Sequence, residues 1–347
     1  MTTPFKKLAT ITDIHFGRSS NSPVANQDNL DFLDWFVEEA KTFGTEEVAI
    51  LGDFFDNRTS LHVSTLNAGL QGLEKLNKAF KRVHFIVGNH DLFYRDKRDV
   101  TSTAFATHLS NVNLITKPVT YGEGRDAVTF LPWLVGDEHK RVKNLKSRYV
   151  FGHLELPGFL MNAKVEMPIH ANGATPDDFK GGAEYVFSGH FHFRQARENI
   201  VYTGNIMPFN FADSWDEDRG MMLLEWGKEP TFKAWPDQPT YRTMRLSELL
   251  QTPEKVLRPK VTARVTLDMD ISYEEAQVIR DEYAKQFGVR KIELMHAAKA
   301  SVSDQDFTKP VAFQSVDQIV IDGLMSVNSE ALSKEMLVEI YRSLPAL

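Results

Sequence analysis

The sequence contains no cysteine among its 347 residues. This absence excludes disulfide bonds, cysteine-ligated zinc, iron–sulfur clusters and thiol nucleophiles. Long apolar runs are missing as well, because no stretch reaches the roughly 18 residues that a membrane-spanning helix requires. The N-terminus also lacks the apolar core of a signal peptide. We therefore expect a cytoplasmic protein that has no membrane segment.

Positive charge is not in excess either, since 40 Lys and Arg residues stand against 47 Asp and Glu residues, for a formal net charge of −7. This balance argues against bulk electrostatic binding to nucleic acid. It leaves open a nucleic-acid substrate that is gripped locally, particularly where bound cations offset the acidic charge. The 24 Phe and 5 Trp residues exclude a disordered chain, and the length predicts about two domains.

The first third of the chain alternates predicted strands and helices. Strands are predicted at 7–14, 46–51 and 82–87, and helices at 28–43 and 62–80. The β-α-β-α-β order predicts a parallel sheet with right-handed crossovers. From about residue 112, short strand-like runs follow closely with fewer helices between them. They predict a second, more mixed sheet that packs against the first.

Two proline-containing segments, at 230–239 and 253–259, indicate a domain boundary. Beyond them, the pattern predicts a small β-α-β module and then an amphipathic helix at 329–344. We therefore expect three parts: a large α/β domain at 1–250, a small α/β cap domain at 260–300 and a C-terminal helical segment at 301–347.

Five short polar motifs each follow a predicted strand. They are Asp13-Ile-His15, Gly52-Asp53-Phe-Phe-Asp56, Gly88-Asn89-His90-Asp91, Gly152-His153 and Gly189-His190-Phe-His192. In α/β folds, ligands gather at the carboxyl ends of the strands. One such motif is weak evidence, but five in succession, each rich in carboxylate, imidazole or amide groups, indicate a functional site.

The side chains of these motifs are typical metal ligands. Two carboxylates, one amide oxygen and four imidazoles are available, from Asp13, His15, Asp53, Asn89, His153, His190 and His192. Seven ligands exceed the three or four that one catalytic metal takes from a protein, so they suit two metals that share a carboxylate. Oxygen and nitrogen ligands without sulfur favour Mn, Fe or Zn over Mg or Ca. Paired metals of this kind act in phosphoryl displacement.

The order of the five motifs resembles that of the calcineurin-like metallophosphoesterase superfamily. The opening Asp13-Ile-His15-Phe-Gly17 is similar to that of SbcD-type DNA nucleases, the nuclease subunits of double-strand-break repair complexes, and the similarity continues through Tyr202-Thr-Gly204 and Asp218-Arg-Gly220. The compact length resembles that of phage-encoded recombination endonuclease subunits. The resemblance implies an α/β fold with two packed mixed β-sheets flanked by helices, a four-layer sandwich, followed by a small C-terminal α/β cap.

The resemblance also implies roles for the motif residues and two divalent metal ions, which we expect to be Mn²⁺. Asp13, His15 and His192 would hold one ion, Asn89, His153 and His190 the other, and Asp53 would bridge both. His90 would protonate the leaving group, and Asp56 would orient His90 and favour its charged form. Asp91 is expected to cap the loop after His90.

The leading hypothesis is therefore metal-dependent hydrolysis of phosphodiester bonds in DNA, by an exonuclease or endonuclease of recombination and repair. By resemblance, the chain would act as the nuclease subunit beside an SMC-like ATPase of the SbcC type. The helix at 329–344 is a candidate contact for that ATPase, and the helix at 62–80 is a candidate homodimer interface. Packing in the core is the simplest explanation of the helix at 62–80, and packing on its own domain explains the helix at 329–344 at least as well as a partner contact does.

Two other functions compete with a DNA nuclease. The first is another phosphoesterase of the superfamily, such as a protein phosphatase or a cyclic-nucleotide phosphodiesterase. The motifs GDFFDN and GNHD differ from the GDxxDRG and GNHE of protein Ser/Thr phosphatases, which disfavours that reading. The second is a non-catalytic scaffold, against which the complete set of candidate ligands counts.

Two further segments permit opposite interpretations. The run His139–Arg148 has five basic residues and no acid, so it could contact a phosphate backbone, although a solvated helix face explains it more simply. The loop at 205–218 carries Phe209, Phe211 and Trp215. These aromatic side chains could stack on an unpaired base or pack against the core and the cap.

Overall fold

The structure is a computed structural model, and it describes residues 4–162, 165–169 and 173–296, together with Ser333, Met336–Val338 and Tyr341. The strands are β1 Lys7–Ile11, β2 Glu47–Ile50, β3 Arg82–Ile86, β4 Val112–Ile115, β5 Val119–Tyr121, β6 Val128–Leu131, β7 Ser147–His153, β8 Leu160–Asn162, β9 Val165–Glu166, β10 Ala183–Gly189, β11 Gln195–Arg197, β12 Ile200–Tyr202, β13 Gly220–Glu225, β14 Thr231–Ala234, β15 Thr240–Arg245, β16 Val261–Leu267 and β17 Lys291–His296. The helices are α1 Arg18–Asn21, α2 Pro23–Phe43, α3 Val63–Ala79, α4 His139–Val142, α5 Leu246–Leu249, α6 Pro253–Val256 and α7 Tyr273–Phe287. Short 3₁₀ helices lie at Ala104–His108, Gly124–Asp126, Gly136–Glu138, Pro176–Phe179 and Phe211–Asp213.

Two six-stranded sheets form most of the described chain. The first has the order β14-β13-β1-β2-β3-β4, and its strands β1 to β4 are parallel neighbours, while β13 is antiparallel to β1. The second has the order β11-β12-β10-β7-β6-β5 and is mixed. The predicted parallel β-α-β-α-β core and the second mixed sheet are both confirmed.

One hydrophobic core lies between the two sheets. Leu51 and Ile86 of the first sheet are buried against Phe130, Phe151 and Phe187 of the second. The ring of Phe151 stacks on those of Phe130 and Phe187, with both centroid separations at 5.4 Å. The outer face of the first sheet packs against α2 and α3, and short helices and loops cover the outer face of the second. These layers confirm the predicted fold class of two mixed sheets flanked by helices.

Helix α2 begins five residues before the predicted helix at 28–43. Ser22 accepts a hydrogen bond from the backbone N–H of Ala25 at 3.4 Å, and Pro23 occupies the first turn. Both residues are favoured at a helix start, because one satisfies a free N–H and the other has no N–H to satisfy. Gly44, with φ of 83°, ends the helix as predicted. The predicted helix at 62–80 is confirmed as α3.

A smaller parallel sheet follows the second large one. Its order is β15-β16-β17, and α7 connects β16 to β17. This confirms the predicted β-α-β module, but β15 had no counterpart in the prediction, because it borders the proline-containing segment at 230–239. Since β15 precedes residue 250, the small sheet uses residues from both sides of the predicted boundary, and the division at 250–260 stays a prediction.

The C-terminal segment at 301–347, including the predicted helix at 329–344, lies almost wholly outside the described residues. Compact units divide at Ala297, with residues 1–297 in the first and 298–347 in the second. Among the helices that the structure describes, none combines the length and apolar character needed to cross a membrane.

Candidate metal centre

The predicted ligands converge at one edge of the two sheets. Asp13 and His15 follow β1, Asp53 follows β2, Asn89 follows β3, His153 ends β7, and His190 and His192 follow β10. Because β1, β2 and β3 are parallel neighbours in one sheet and β7 and β10 in the other, their carboxyl ends face a common space. The structure thus brings all seven side chains together.

The first group consists of Asp13, His15 and His192, whose ligand atoms lie within 4.8 Å of one another. The Nε2 atoms of the two imidazoles are 3.2 Å apart. Asp13 Oδ1 lies 3.8 Å from His15 Nε2 and 3.7 Å from His192 Nε2. Two imidazole nitrogens and a carboxylate oxygen that point at one small space are a suitable donor set for a divalent cation.

The second group consists of Asp53, His153 and His190, again with ligand atoms within 4.8 Å. The amide oxygen of Asn89 joins them, at 2.9 Å from His153 Nε2 and 3.0 Å from His190 Nδ1. Asp53 Oδ2 lies 3.2 Å from His153 Nε2. This set also combines oxygen and nitrogen donors.

Asp53 lies between the two groups. Its Oδ2 atom is 3.2 Å from His153 Nε2 in the second group and 3.9 Å from His15 Nε2 in the first. Its Oδ1 atom accepts a hydrogen bond from the backbone N–H of His90 at 2.8 Å. This is the position that a carboxylate shared by two metals would occupy.

Contacts at Nδ1, one with a backbone carbonyl and one with a carboxylate, leave the Nε2 atoms of two histidines available for a metal. His153 Nδ1 lies 2.7 Å from the carbonyl oxygen of Leu51, to which only an N–H can donate. His15 Nδ1 lies 3.3 Å from Asp56 Oδ1. Partners of this kind at one ring nitrogen hold the proton there and present the other nitrogen as a ligand.

The backbone at this edge is strained. Four of the seven candidate ligands have positive φ, with 53° at Asp13, 50° at His15, 51° at Asp53 and 92° at His190. Residues other than glycine rarely adopt this region, at a cost of about 1–3 kcal/mol each. Strain of this kind concentrates at functional sites, because the surrounding structure has to maintain it.

Glycines in two of the motifs permit the close approach of the strands. A Cβ atom at Gly88 would lie 2.3 Å from Asp53 Oδ1, and one at Gly189 would lie 2.0 Å from the hydroxyl oxygen of Thr12. Real Cβ atoms do not come this near to other heavy atoms. Only glycine therefore lets the loops after β3 and β10 reach the ligands that follow β2 and β1.

Positive charge on neighbouring groups stabilises the buried carboxylates of the site. Burial favours the neutral form of Asp13, but contact with His15 outweighs it and lowers the pKa of Asp13 to about 2. Burial likewise opposes the charged form of His15, but Asp13 and Asp56 outweigh it and raise the pKa of His15 to about 10. Burial opposes the charge on His153 too, yet Asp53 raises the pKa of His153 to about 9. In the metal-free protein, protonated imidazoles therefore balance the negative charge of the carboxylates. Divalent cations would supply the same positive charge, so the residues fit a metal centre.

Metal binding is expected to displace these protons. With the pKa values of His15 and His153 raised to about 10 and about 9, both imidazoles carry a second proton between pH 6 and 8, and both must lose it to bind a metal. Raising the pH should therefore strengthen Mn²⁺ binding, by up to about a hundredfold per unit if two protons leave. Calorimetric titration with Mn²⁺ in two buffers of different ionisation enthalpy measures the number of protons released per chain. His62→Gln, at an exposed histidine, is the control, and an affinity independent of pH would contradict the assignment.

His90 is oriented by the main chain of Asp56. Its Nδ1 atom donates to the carbonyl oxygen of Asp56 at 2.6 Å, which leaves Nε2 available. The carboxylate of Asp56 instead approaches His15, and this contact holds the pKa of Asp56 below its usual range. Asp56 thus contacts both His90 and His15. That its carboxylate favours the charged form of His90 stays a prediction.

Asp91 joins two loops of the site. Its Oδ2 atom accepts the N–H of Gly88 at 2.9 Å, and its Oδ1 atom accepts those of Phe54 and Phe55 at 3.0 and 3.3 Å. The sequence predicted the cap on the loop after β3. It did not predict the bond to the loop after β2, because no local pattern indicates a partner 37 residues away.

Asp91→Asn is expected to lower the free energy of unfolding by about 1–3 kcal/mol. The amide can place its oxygen toward Phe54 and Phe55, but its NH₂ group then faces the N–H of Gly88, and a buried donor loses its acceptor. Urea unfolding of the metal-free protein measures the change. Asp34→Asn on the exposed surface of α2 is the control. Equal free energies of unfolding for the two variants would show that the contacts of Asp91 do not stabilise the fold.

Three neighbours of the ligands had no assigned role in the sequence. Trp133 packs beside His190 with ring centroids 5.1 Å apart. Phe209 packs beside His15 and His192 at 5.6 and 5.3 Å. The buried guanidinium of Arg219 donates to the carbonyl oxygen of His192 at 2.6 Å. Arg219 had a sequence signal in the Asp218-Arg-Gly220 segment, and Phe209 had one as an aromatic residue of the loop at 205–218, whereas Trp133 had none.

Comparison with known proteins agrees with this arrangement. Residues 6–194 match the sequence profile described as calcineurin-like phosphoesterase. Exonuclease subunit 1 of Enterobacteria phage T4 is 26% identical over 230 residues, which are 65% of this chain and 66% of that protein. The SbcD component of the nuclease SbcCD from Escherichia coli K12 is 23% identical over 252 residues, or 60% of this chain and 62% of that protein. The chain thus spans slightly less than two thirds of the length of these relatives.

Among solved structures, a dimetal phosphatase from Danio rerio aligns with a TM-score of 0.45 and 11% identity, over 67% of this chain and 96% of that one.

The profile match spans more than half of the chain and includes every candidate ligand, which confirms the family and the enzyme class predicted from the motifs. The chain therefore belongs to the calcineurin-like phosphoesterase family of metal-dependent hydrolases.

Proposed function

We propose that the chain is a dinuclear-metal-dependent nuclease that hydrolyses phosphodiester bonds in DNA. The observation that carries the proposal is the pair of donor groups that meet at Asp53, with ligand atoms in each group within 4.8 Å. His90 lies beside the first group, with its ring centroid 4.9 Å from that of His15. When bound, two divalent ions would attract the phosphate and supply an activated water.

The donor groups define which residues would hold each ion. Asp13, His15 and His192 would hold one, Asn89, His153 and His190 the other, and Asp53 would contribute to both. The absence of sulfur and the mixture of carboxylate, amide and imidazole donors suit Mn²⁺, Fe²⁺ or Zn²⁺. Of these three ions we propose Mn²⁺ as the working metal.

His90 would act on the leaving group. Its Nδ1–H is bound to the carbonyl oxygen of Asp56, so the ring is fixed and a proton at Nε2 can be directed at a departing oxygen. The alkoxide of a sugar is a poor leaving group, and a proton donor beside it contributes typically 10²–10⁴-fold to the rate.

A DNA substrate is supported by basic groups next to the centre. A cavity of about 250 Å³ is lined by His153 together with Arg95, Trp133 and His139. A second cavity of about 470 Å³ shares Leu134 and Val135 with the first and is lined by Lys97, Lys117 and Arg141. The same linings also include Asp96, Asp99, Glu138 and Glu155, and Glu138 pairs with Arg98. A phosphate backbone would therefore be held locally by individual groups such as Arg95 and Lys117 and not by a net positive charge. Arg141 belongs to the basic run, of which only His139–Val142 is helical.

The relatives support a role within a larger complex. Their names describe an exonuclease subunit and a subunit of a nuclease complex. We propose that this chain likewise acts as a nuclease subunit in the cytoplasm, in recombination and repair, with an SMC-like ATPase of the SbcC type. A homodimer through α3 belongs to the same proposal and is supported by the exposure of Val63 at the start of that helix. The helix at 329–344 remains the proposed contact for the ATPase.

A nuclease assay with added Mn²⁺ tests the proposal. We expect the protein to cleave end-labelled single- or double-stranded DNA, and EDTA to stop the cleavage. Hydrolysis of a small nitrophenyl diester without cleavage of any DNA would overturn the nuclease and favour another phosphoesterase of the family. Absence of both activities from protein that has bound Mn²⁺ would favour a scaffold.

A further inference from the structure

We propose that Trp215 is a stacking platform for an unpaired nucleobase next to the phosphodiester bond that is cut. The inference rests on the proposed DNA nuclease function and adds a substrate feature to it. It requires that a base be unstacked from its neighbours at the site, so it favours single-stranded or frayed ends over intact duplex.

A cavity connects Trp215 to the metal centre. It measures about 280 Å³ and is lined by His192, Asn210, Trp215 and Asp216, with Met161 of the β8–β9 hairpin on its wall. His192 is a candidate ligand of the first metal, and its side chain is 36% exposed. A nucleotide whose phosphate lies at the metal centre can therefore extend its base toward Trp215.

Trp215 is held in place without being buried. It is 54% exposed, whereas the other four tryptophans are buried or half-buried. Its backbone N–H donates to the carbonyl oxygen of Tyr241 at 3.2 Å, and its indole N–H donates to that of Thr243 at 3.0 Å. An aromatic ring that is already fixed loses little conformational freedom when a base stacks on it.

The backbone at Trp215 is also strained. Its φ of 68° lies in the left-handed region, which costs a bulky residue about 1–3 kcal/mol. Burial of the ring does not account for this cost, because the ring is largely exposed. A side chain that is strained and exposed at the mouth of the metal centre indicates a ligand contact.

The other aromatic residues of the loop have structural roles. Phe209 is buried against His15 and His192. Phe211 packs on Tyr241 at a ring distance of 5.2 Å, and the guanidinium of Arg264 lies 3.9 Å from its centroid. The structure thus resolves the alternatives for this loop, with packing for these two residues and an open ring at Trp215.

The charges around the cavity favour a base over a phosphate. Asp213 and Asp216 both pair with Arg219, at 3.1 and 2.5 Å, so two carboxylates face one guanidinium and no positive charge is left over. A phosphate would be repelled here, whereas a base is neutral and offers N–H donors to carboxylates. The guanidinium of Arg242, which pairs with Glu217, lies 4.5 Å from the centroid of the Trp215 ring. A base would therefore stack on the part of the ring that Arg242 does not cover.

The test compares a single-stranded dT oligomer with an oligomer of the same length built from abasic tetrahydrofuran nucleotides, both with Mn²⁺. The abasic strand keeps the phosphates and removes every base. We expect the wild-type protein to prefer the dT strand in kcat/KM by roughly tenfold or more, the size of one stacking contact. Trp215→Ala should reduce this preference toward one, and Trp215→Phe should keep most of it.

Tyr273→Ala is the matched control, because Tyr273 is another exposed aromatic residue, 40% exposed on α7. It should keep the wild-type preference. An unchanged preference in Trp215→Ala would overturn the inference, as would an equal loss of activity on both strands, which indicates a merely structural role. Failure of the wild-type protein to cut either single strand, while it cuts duplex DNA under the same conditions, would overturn the inference and leave the nuclease proposal standing. Failure on the duplex as well would overturn both.

Discussion

Asp53→Asn is expected to leave the protein without either metal ion and to lower the rate of phosphodiester hydrolysis by about a thousandfold or more. Asp53 is a carboxylate that approaches histidines of both donor groups, with Oδ2 at 3.2 Å from His153 Nε2 and 3.9 Å from His15 Nε2. An amide in its place keeps the shape but removes the negative charge that two divalent cations would share. Elemental analysis after incubation with Mn²⁺ and desalting measures the ions retained per chain.

The isosteric change keeps the fold comparable. Asn can still accept the N–H of His90 through its oxygen, as Asp53 Oδ1 does at 2.8 Å. Asp34→Asn, at an exposed carboxylate of α2 that pairs with Lys75, should retain the wild-type metal content. Retention of one ion by Asp53→Asn would place Asp53 at a single metal, and retention of two would remove it from the centre.

His90→Gln is expected to keep both metal ions and to lower the rate of DNA cleavage by about 10²–10⁴-fold. His90 contributes its backbone N–H to Asp53 and its Nδ1–H to the carbonyl oxygen of Asp56. Since a ligand atom of His90 also lies within 4.8 Å of those of His15 and Asp56, the metal content of the variant is measured beside its rate. The loss should depend on the leaving group, since nitrophenolate departs without a proton and the alkoxide of a sugar does not. Rates on DNA and on a nitrophenyl ester of thymidine phosphate measure the difference.

We expect the variant to lose less than about tenfold on the nitrophenyl ester, because proton donation matters little there. His62→Gln, at an exposed histidine before α3, should behave as the wild-type protein on both substrates. An equal loss on both substrates would assign His90 to phosphate binding or to metal positioning. Loss of metal from His90→Gln would make it a ligand.

Much of the fold could be predicted because its elements have strong periodicity. Helix α3 has a buried side that includes Leu73 and Leu76, and this spacing is visible without any partner. The start of α2 was missed, although Ser22 and Pro23 are favoured there, because the prediction followed the apolar residues and not the capping signals. Strand β15 was missed because its pairing with β16 joins segments on either side of proline-containing stretches.

The composition of the candidate site could be predicted because each motif directly follows a strand. Position along the chain was enough to predict that the seven candidate ligands lie together, since parallel strands bring their carboxyl ends to one edge, and their role as ligands stays a prediction. The partners of the ligands could not be predicted in the same way. Asp91 accepts a hydrogen bond from the backbone N–H of Phe54. Asp56 contacts His90 through its carbonyl oxygen and His15 through its carboxylate. These contacts depend on how loops that are distant in sequence pack together.

The sequence by itself determined the family, the two-sheet architecture and the set of side chains that meet at the metal centre, because strand order and motif position are local properties of the chain. The tertiary structure alone decided that Asp91 joins the loop after β3 to the loop after β2 and which of the three aromatic residues at 205–218 stays exposed. Phe209, Phe211 and Trp215 are equivalent in the sequence, but burial depends on what packs against each ring. That packing comes from residues far along the chain, such as His15 against Phe209 and Arg264 against Phe211.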